Sequence, residues 1–222
     1  MRTFKYTIIA NPLRRGRVRE LPCAFSLEQM SFYKLDSSAP AQFAAAALSL
    51  AEPVLRSELE TSQIPAPDKI APWALAFAAQ APNPADTPMN RGVGRIVFLH
   101  DPKQFDVWGS NMRVIAYGKS PLENDMGIEE DVAHYWWSEL ERALSNHGAK
   151  YRNEAGTVTK MSSTGMGSLA HEPSASEVEI RASWSPTDDD LGPHLAAWQD
   201  LIASMAGFGM DGEGVTRLIV NQ

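Results

Sequence analysis

Two absences narrow what kind of protein this chain can be. It contains a single cysteine, Cys23, so no internal disulfide framework can form. No stretch approaches the run of about 18 apolar residues that a transmembrane helix needs, and the first residues contain no apolar segment long enough for a signal peptide. Together these observations favour a protein of the cytoplasm with no membrane partner.

The motifs that mark common metal and nucleophile sites are also missing. The five histidines and the cysteine show neither His-x-x-x-His nor Cys-x-x-Cys spacing, so we expect no metal site. There is no Gly-x-Ser-x-Gly elbow for a serine nucleophile. The sequence therefore predicts no bound cofactor.

Charge is distributed unevenly along the chain. The net charge of −7 argues against a general nucleic-acid binder, because such binders need Lys and Arg to neutralise phosphates. Residues 1–29 nevertheless carry six Lys or Arg and two Glu, a charge of +4. This basic arm could contact nucleic acid or a membrane surface, or it could be an unstructured leader that precedes a start at Met30. We expect residues 1–38 to form a basic, poorly structured leader and residues 39–222 to form a single domain.

The clearest structural pattern lies near the end of the chain. Apolar and polar residues alternate from Glu177 to Ser185, which is typical of a strand with one buried face. Pro186 ends this strand because proline has no backbone donor. A helical stripe follows after an acidic turn. Its apolar residues are Leu191, Leu195, Trp198, Ile202 and Met205.

Weaker patterns predict the remaining elements. Helices are predicted over residues 40–52 and 129–147, in addition to the helix that starts near Leu191. Strands are predicted over residues 56–64 (an edge strand), 73–80, 94–100 (a central strand covered on both faces), 112–117, and from Gly156 onward. Residues 73–80 are alanine-rich, which leaves helix or strand open, and we favour strand. The fold class is α+β, with a mainly antiparallel sheet of about five to six strands and three helices in the order α-β-β-β-β-α-β-β-α.

Several motifs occur in an order that resembles an actinobacterial family, DUF3000, which is known only as a domain of unknown function. The motifs are Ile64-Pro65-Ala66-Pro67 with Ala71-Pro72, Gly94-Arg95 leading to Leu99-His100-Asp101-Pro102, Gly156-Thr157-Val158-Thr159, Glu179-Ile180-Arg181-Ala182-Ser183-Trp184, and Leu191-Gly192 with His194 and Ala197-Trp198. The resemblance covers roughly residues 43–207. It implies no established activity, so function has to be argued from the residues.

Three arginines, Arg95, Arg113 and Arg181, lie within predicted strands rather than in loops. Arginine is costly to bury unpaired, so each needs a carboxylate or a ligand. Glu179 is two residues from Arg181 and is a candidate internal partner. We hypothesise that Arg181, with Arg95 or Arg113, binds a carboxylate or phosphate group. The alternative is that all three are exposed or internally paired.

A second candidate site is His100-Asp101, at the end of the predicted central strand. An aspartate beside a histidine could orient it as a general base, although adjacent strand residues point to opposite faces. The favoured function is a non-enzymatic binding or adaptor domain for a protein partner or a small anionic ligand. The alternative is an enzyme that acts on an anionic substrate through His100, Asp101 and the strand arginines. Convergence of His100, Arg95 and Arg181 in one pocket would favour the enzyme. Nucleic acid is expected as a partner only through the basic leader.

Overall fold

A computed structural model of the chain describes residues 35–67, 69–82, 91–122, 132–171 and 174–209. Most of the expected leader, residues 1–34, therefore lies outside the described residues, as does Cys23. The division of the chain into a leader and one domain stays a prediction.

The described strands form one antiparallel sheet of six strands. Their bounds are β1 Glu60–Ile64, β2 Trp73–Gln80, β3 Val93–His100, β4 Met112–Leu122, β5 Tyr151–Ser163 and β6 Ala175–Pro186. The spatial order is β1-β2-β3-β4-β6-β5, so β1 is an edge strand and β3 is central, as the sequence predicts. The prediction of a mainly antiparallel α+β fold is confirmed.

Four helices accompany the sheet in the described residues, one more than the sequence predicts. They are α1 Ala41–Ser49, α2 Phe105–Trp108, α3 Val132–Asn146 and α4 Gly192–Met205. The additional helix is α2, which has four residues and is too short to show a periodic pattern. It follows a 3₁₀ turn at Pro102–Gln104. The order of the other elements matches the prediction.

One face of the sheet carries the core. The sequence predicts which face of β6 is buried, and the structure confirms it. Four side chains on that face are buried toward the helices: Val178, Ile180, Ala182 and Trp184. Helix α4 lies against β2, β3 and β4, and α3 packs against α4 and β5. The backbone N–H groups of Leu191 and Gly192 donate to Ser49 Oγ at 2.8 and 3.2 Å, which ties the start of α4 to the end of α1. Nearly all of α4 is buried as a result.

Two paired glycines allow α4 to approach the sheet closely. Gly94 on β3 lies directly opposite Gly118 on β4. A Cβ atom on Gly94 would overlap the Ile202 side chain of α4, and one on Gly118 would lie 2.9 Å from Ile202 Cδ1. The absence of side chains here therefore sets the distance between helix and sheet.

Among the described helices, α4 is the one that packs against β3, and it lies on the core side. The sequence predicts a strand covered on both faces; on the opposite side Leu99 is buried, Val97 is half-buried and Arg95 is exposed. We call this surface, opposite α4, the open face. Its side chains are those that alternate with the buried set, and they form the candidate site.

Candidate functional site

Two of the three predicted arginines lie in one row across the open face. Arg95 on β3 is paired with Tyr117 on β4, and Tyr117 is paired with Arg181 on β6. The row continues with Ala78 on β2 and Thr157 on β5. Because neighbouring strands are separated by about 4.8 Å, the two arginine backbones lie roughly 10 Å apart with the tyrosine between them.

One carboxylate organises half of this row. Glu179 Oε1 accepts from Arg181 Nε at 2.8 Å, and Glu179 Oε2 accepts from the Tyr117 hydroxyl at 3.1 Å. Burial, followed by the charge of Glu179, raises the pKa of Tyr117, so the phenol stays protonated and keeps donating. The Arg181 side chain is still 68% exposed.

Arg95 differs from Arg181 in having no partner among the described residues. It is exposed and makes no hydrogen bond or ion pair with any other residue in the described ranges. No described residue therefore occupies any of its five N–H donors. Within the described residues, the row combines one guanidinium without a partner, one guanidinium that is paired through a single nitrogen, and an anchored aromatic ring.

The row borders a shallow hollow of about 960 Å³ on the open face. Its wall on the β1 side includes Glu60, whose carboxylate accepts from Gln80 Nε2 at 2.9 Å. Ala78 lies beside Arg95 in the register, and its small side chain leaves room above β2. A volume of this size is in the range of small-ligand sites.

Arg113 lies on the same strand as Tyr117 but apart from the row. It is four residues away, about 13 Å along the strand. Its guanidinium donates to Asn153 O at 2.8 Å, Ser185 Oγ at 3.0 Å and Ser183 Oγ at 2.6 Å. Burial lowers the pKa of Arg113. The predicted trio therefore divides, and Arg113 matches the internally paired alternative.

His100 is on the helix side of the sheet and does not converge with Arg95. Its ring is 1% exposed and packs 5.4 Å from Phe43 and 5.7 Å from Trp73 between ring centres. Neither ring nitrogen has a hydrogen-bond partner in the described part of the chain. Burial lowers the pKa of His100 more than the nearby charge of Asp101 raises it. The ring is therefore neutral and enclosed by aromatic groups.

Asp101 has a local structural contact. Its side chain accepts from Lys103 N at 3.0 Å and so begins the 3₁₀ turn after β3. This capping arrangement accounts for an aspartate before proline at this position.

The most connected charged cluster was not identified from the sequence. Asp200 on α4 pairs with Arg56 at 3.1 Å and with His147 Nε2 at 2.7 Å. The cluster joins the segment before β1 to the end of α3, and Arg56 and His147 are 144 and 53 positions from Asp200 in the sequence. Such long separations leave no local signal.

Within the described ranges, no group of three or more His, Cys, Asp or Glu side chains could hold a metal ion. None of the described helices has the length and apolar character needed to cross a membrane.

Comparison with known proteins gives a family without an assigned activity. Comparisons with curated proteins and with solved structures found no match. The family model described as "Protein of unknown function (DUF3000)" matches residues 39–216, most of the chain, and contains the range over which the motifs show their resemblance. The chain belongs to the DUF3000 family.

Proposed function

We propose that this protein is a non-enzymatic binding domain whose open face recognises a carboxylate or phosphate group, on a small ligand or on a partner protein. The observation that carries the proposal is the row Arg95–Tyr117–Arg181, in which Arg95 has no partner among the described residues. A guanidinium binds either kind of anion through two parallel hydrogen bonds.

The geometry of the row favours capture of an anion between the two arginines. Both side chains project from the same face and are long enough to converge above Tyr117. The tyrosine ring is held in place by its bond to Glu179, so it offers an ordered surface beside the anion. Glu179 contacts Arg181 at Nε, and the Arg181 side chain remains 68% exposed, so a ligand can reach it.

Binding without catalysis is favoured because, among the described residues, the site has no histidine, and its two carboxylates, Glu60 and Glu179, are already engaged by neighbouring side chains. His100 is buried on the other side of the sheet, and the raised pKa of Tyr117 keeps that phenol protonated. The enzymatic alternative requires His100 to converge with Arg95 and Arg181, and His100 lies on the other face of the sheet. We place the domain in the cytoplasm, which its single cysteine favours.

The proposal is tested by ligand binding to matched variants. Inorganic phosphate, a panel of anionic metabolites and an Asp/Glu-rich peptide are screened by thermal shift and then measured by calorimetry. Arg95→Gln and Arg181→Gln each remove one guanidinium from the row. Lys150→Gln removes the same charge from a side chain that is 73% exposed outside the row, and serves as the control.

We expect each arginine variant to bind the anion at least tenfold more weakly, which corresponds to about 1.4 kcal/mol. Their melting temperatures should equal that of the unmodified chain. The Lys150→Gln control should bind as the unmodified chain does. Failure of every anion in the panel to bind, or equal binding to Arg95→Gln and Lys150→Gln, overturns the proposal.

A further inference from the structure

The two edges of the sheet differ in how well they are protected. β1 has five residues and is followed at once by Pro65-Ala66-Pro67, so it offers little backbone for pairing. β5 has 13 residues, contains no proline and is exposed along nearly its whole length. No strand in the described ranges pairs with its outer side. Every second residue of β5 therefore directs its N–H and C=O groups away from β6.

We propose that two copies of the chain pair through β5, antiparallel to one another about a two-fold axis at Thr157. The two sheets then form one continuous sheet. An isologous interface of this kind uses the same strand twice, so the strand must be complementary to itself. The charges of β5 meet this condition.

Charge complementarity follows from the position of the axis. Residues at equal distances on either side of Thr157 face each other across the axis, so Glu154 faces the partner's Lys160, and the reverse pair forms by symmetry. Lys160 is the one charged residue between Ala155 and Ser163. Cross-strand pairs of opposite charge stabilise an antiparallel interface, whereas like charges oppose it.

Both members of each charge pair are on the helix side of the sheet. Ala155 and Thr157 are paired with Ser183 and Arg181 of the open face, so the alternating residues Glu154 and Lys160 point the other way. The charge of Glu154 contributes to the raised pKa of Tyr151, which is consistent with this side. The register shift between Arg152 and Ala155 precedes the regular stretch from Ala155 to Lys160, in which Lys160 is paired with Val178 of the core side.

The centre of the proposed interface has no bulky side chain. Gly156 faces the partner's Val158, and Ala155 faces the partner's Thr159. Small and β-branched residues suit a newly formed strand pair. The axis also lies beside Arg181, since Thr157 is paired with it. The open faces of the two copies therefore continue into each other, although the pairing does not depend on anion binding there.

The test is the oligomeric state of the full chain with charge-exchanged variants. Mass is measured by sedimentation and by light scattering over a concentration series. Lys160→Glu places like charges opposite each other at both symmetric pairs, and Glu154→Lys does the same with the opposite sign. The double variant Glu154→Lys/Lys160→Glu restores opposite charges with the order exchanged. Thermal melts establish that each variant is folded.

We expect a dimer whose dissociation constant rises roughly tenfold in each single variant, because two cross-strand pairs change from attraction to repulsion. The double variant should return close to the original value. Hydrogen exchange of the amides in residues 155–161 should slow as the concentration rises.

Three outcomes overturn the proposal. One is a monomer at every concentration, including a monomer in which these amides are protected by another segment of its own chain. The second is a dimer that is indifferent to both single charge reversals. The third is a dimer that the double variant fails to restore. None of these results bears on anion binding by the open face, which is measured separately.

Discussion

Trp184 on β6 donates a hydrogen bond from Nε1 to Nδ1 of His194 on α4, at 3.0 Å, and both side chains are fully buried. Because Nδ1 accepts, the neutral ring carries its proton on Nε2. Burial lowers the pKa of His194 to about 4. A second proton would have to enter at Nδ1 and would face the indole N–H. The bond between strand and helix therefore requires a neutral histidine.

Removal of the indole should be strongly destabilising. Trp184→Ala is expected to lower the free energy of unfolding by about 3–5 kcal/mol, because it leaves a large cavity under α4. Trp184→Phe keeps an aromatic ring but leaves His194 Nδ1 without a donor, and it should cost about 1–3 kcal/mol. Urea unfolding followed by circular dichroism measures both. An unchanged midpoint for Trp184→Ala would show that this side chain does not anchor the core.

Stability should fall as the pH falls below neutrality. An unfolded histidine takes up a proton near pH 6.5, whereas folded His194 does so only near pH 4. Between these values the unfolded state binds more protons, so the free energy of unfolding decreases toward acid by up to about 3 kcal/mol. Above pH 6.5 this contribution is complete. Burial also lowers the pKa of His100, so His100 likewise makes the free energy of unfolding fall toward acid.

The contribution of His194 can be separated with His194→Asn. Asparagine keeps an acceptor near the Nδ1 position for Trp184 and does not titrate. Urea unfolding at a series of pH values should give a flatter profile for this variant than for the unmodified chain, while His100 continues to contribute to both. If the stability of both proteins falls equally with pH, protonation of His194 does not cause the loss of stability in acid.

The sequence predicts individual elements well because their patterns are local. A period of two on β6 identifies the buried face that ends in Trp184 and, by exclusion, places Arg181 on the open face. The helical stripe of α4 was less informative. His194 and Asp200 are off the stripe but buried, because α1 and α3 also pack against this helix. A single helical pattern cannot show what distant elements cover.

The site was predictable in its residue types but not in its grouping. Arg95 and Arg181 share a row because β4 lies between β3 and β6 in a particular register, which long-range pairing determines. Arg113 is on the same face but too far along β4, where the bulge supplies Asn153 O as an acceptor. Tyr117 was missed, although alternation along its strand places it on the same face as Arg113.

The basic leader should be dispensable for folding. Residues 1–29 show no hydrophobic pattern and precede the range of residues 39–216 that matches the family. We expect a chain that starts at Met30 to melt at the same temperature as the full chain, measured side by side by calorimetry. A shortened chain that is insoluble or melts much earlier would show that the leader contributes to the folded domain.

The close approach of α4 to the sheet should depend on Gly94. Gly94→Ala places a Cβ atom against Ile202 and 2.9 Å from Trp198 Cζ2, so we expect a loss of about 1–3 kcal/mol in the free energy of unfolding. Ile202→Val removes the Cδ1 atom and should cost about 0.5–1.5 kcal/mol alone. The double variant should lose less than the sum of the two single losses, because the second substitution relieves the overlap created by the first.

Ile180→Val is the matched control, since Ile180 is equally buried on β6 but lies two strands from Gly94. Urea unfolding of the three single variants and of the two double variants that contain Gly94→Ala should show coupling for Ile202 and additivity for Ile180. Additivity at both positions would mean that α4 shifts away from the sheet to accommodate the methyl group, and that the paired glycines do not set its distance.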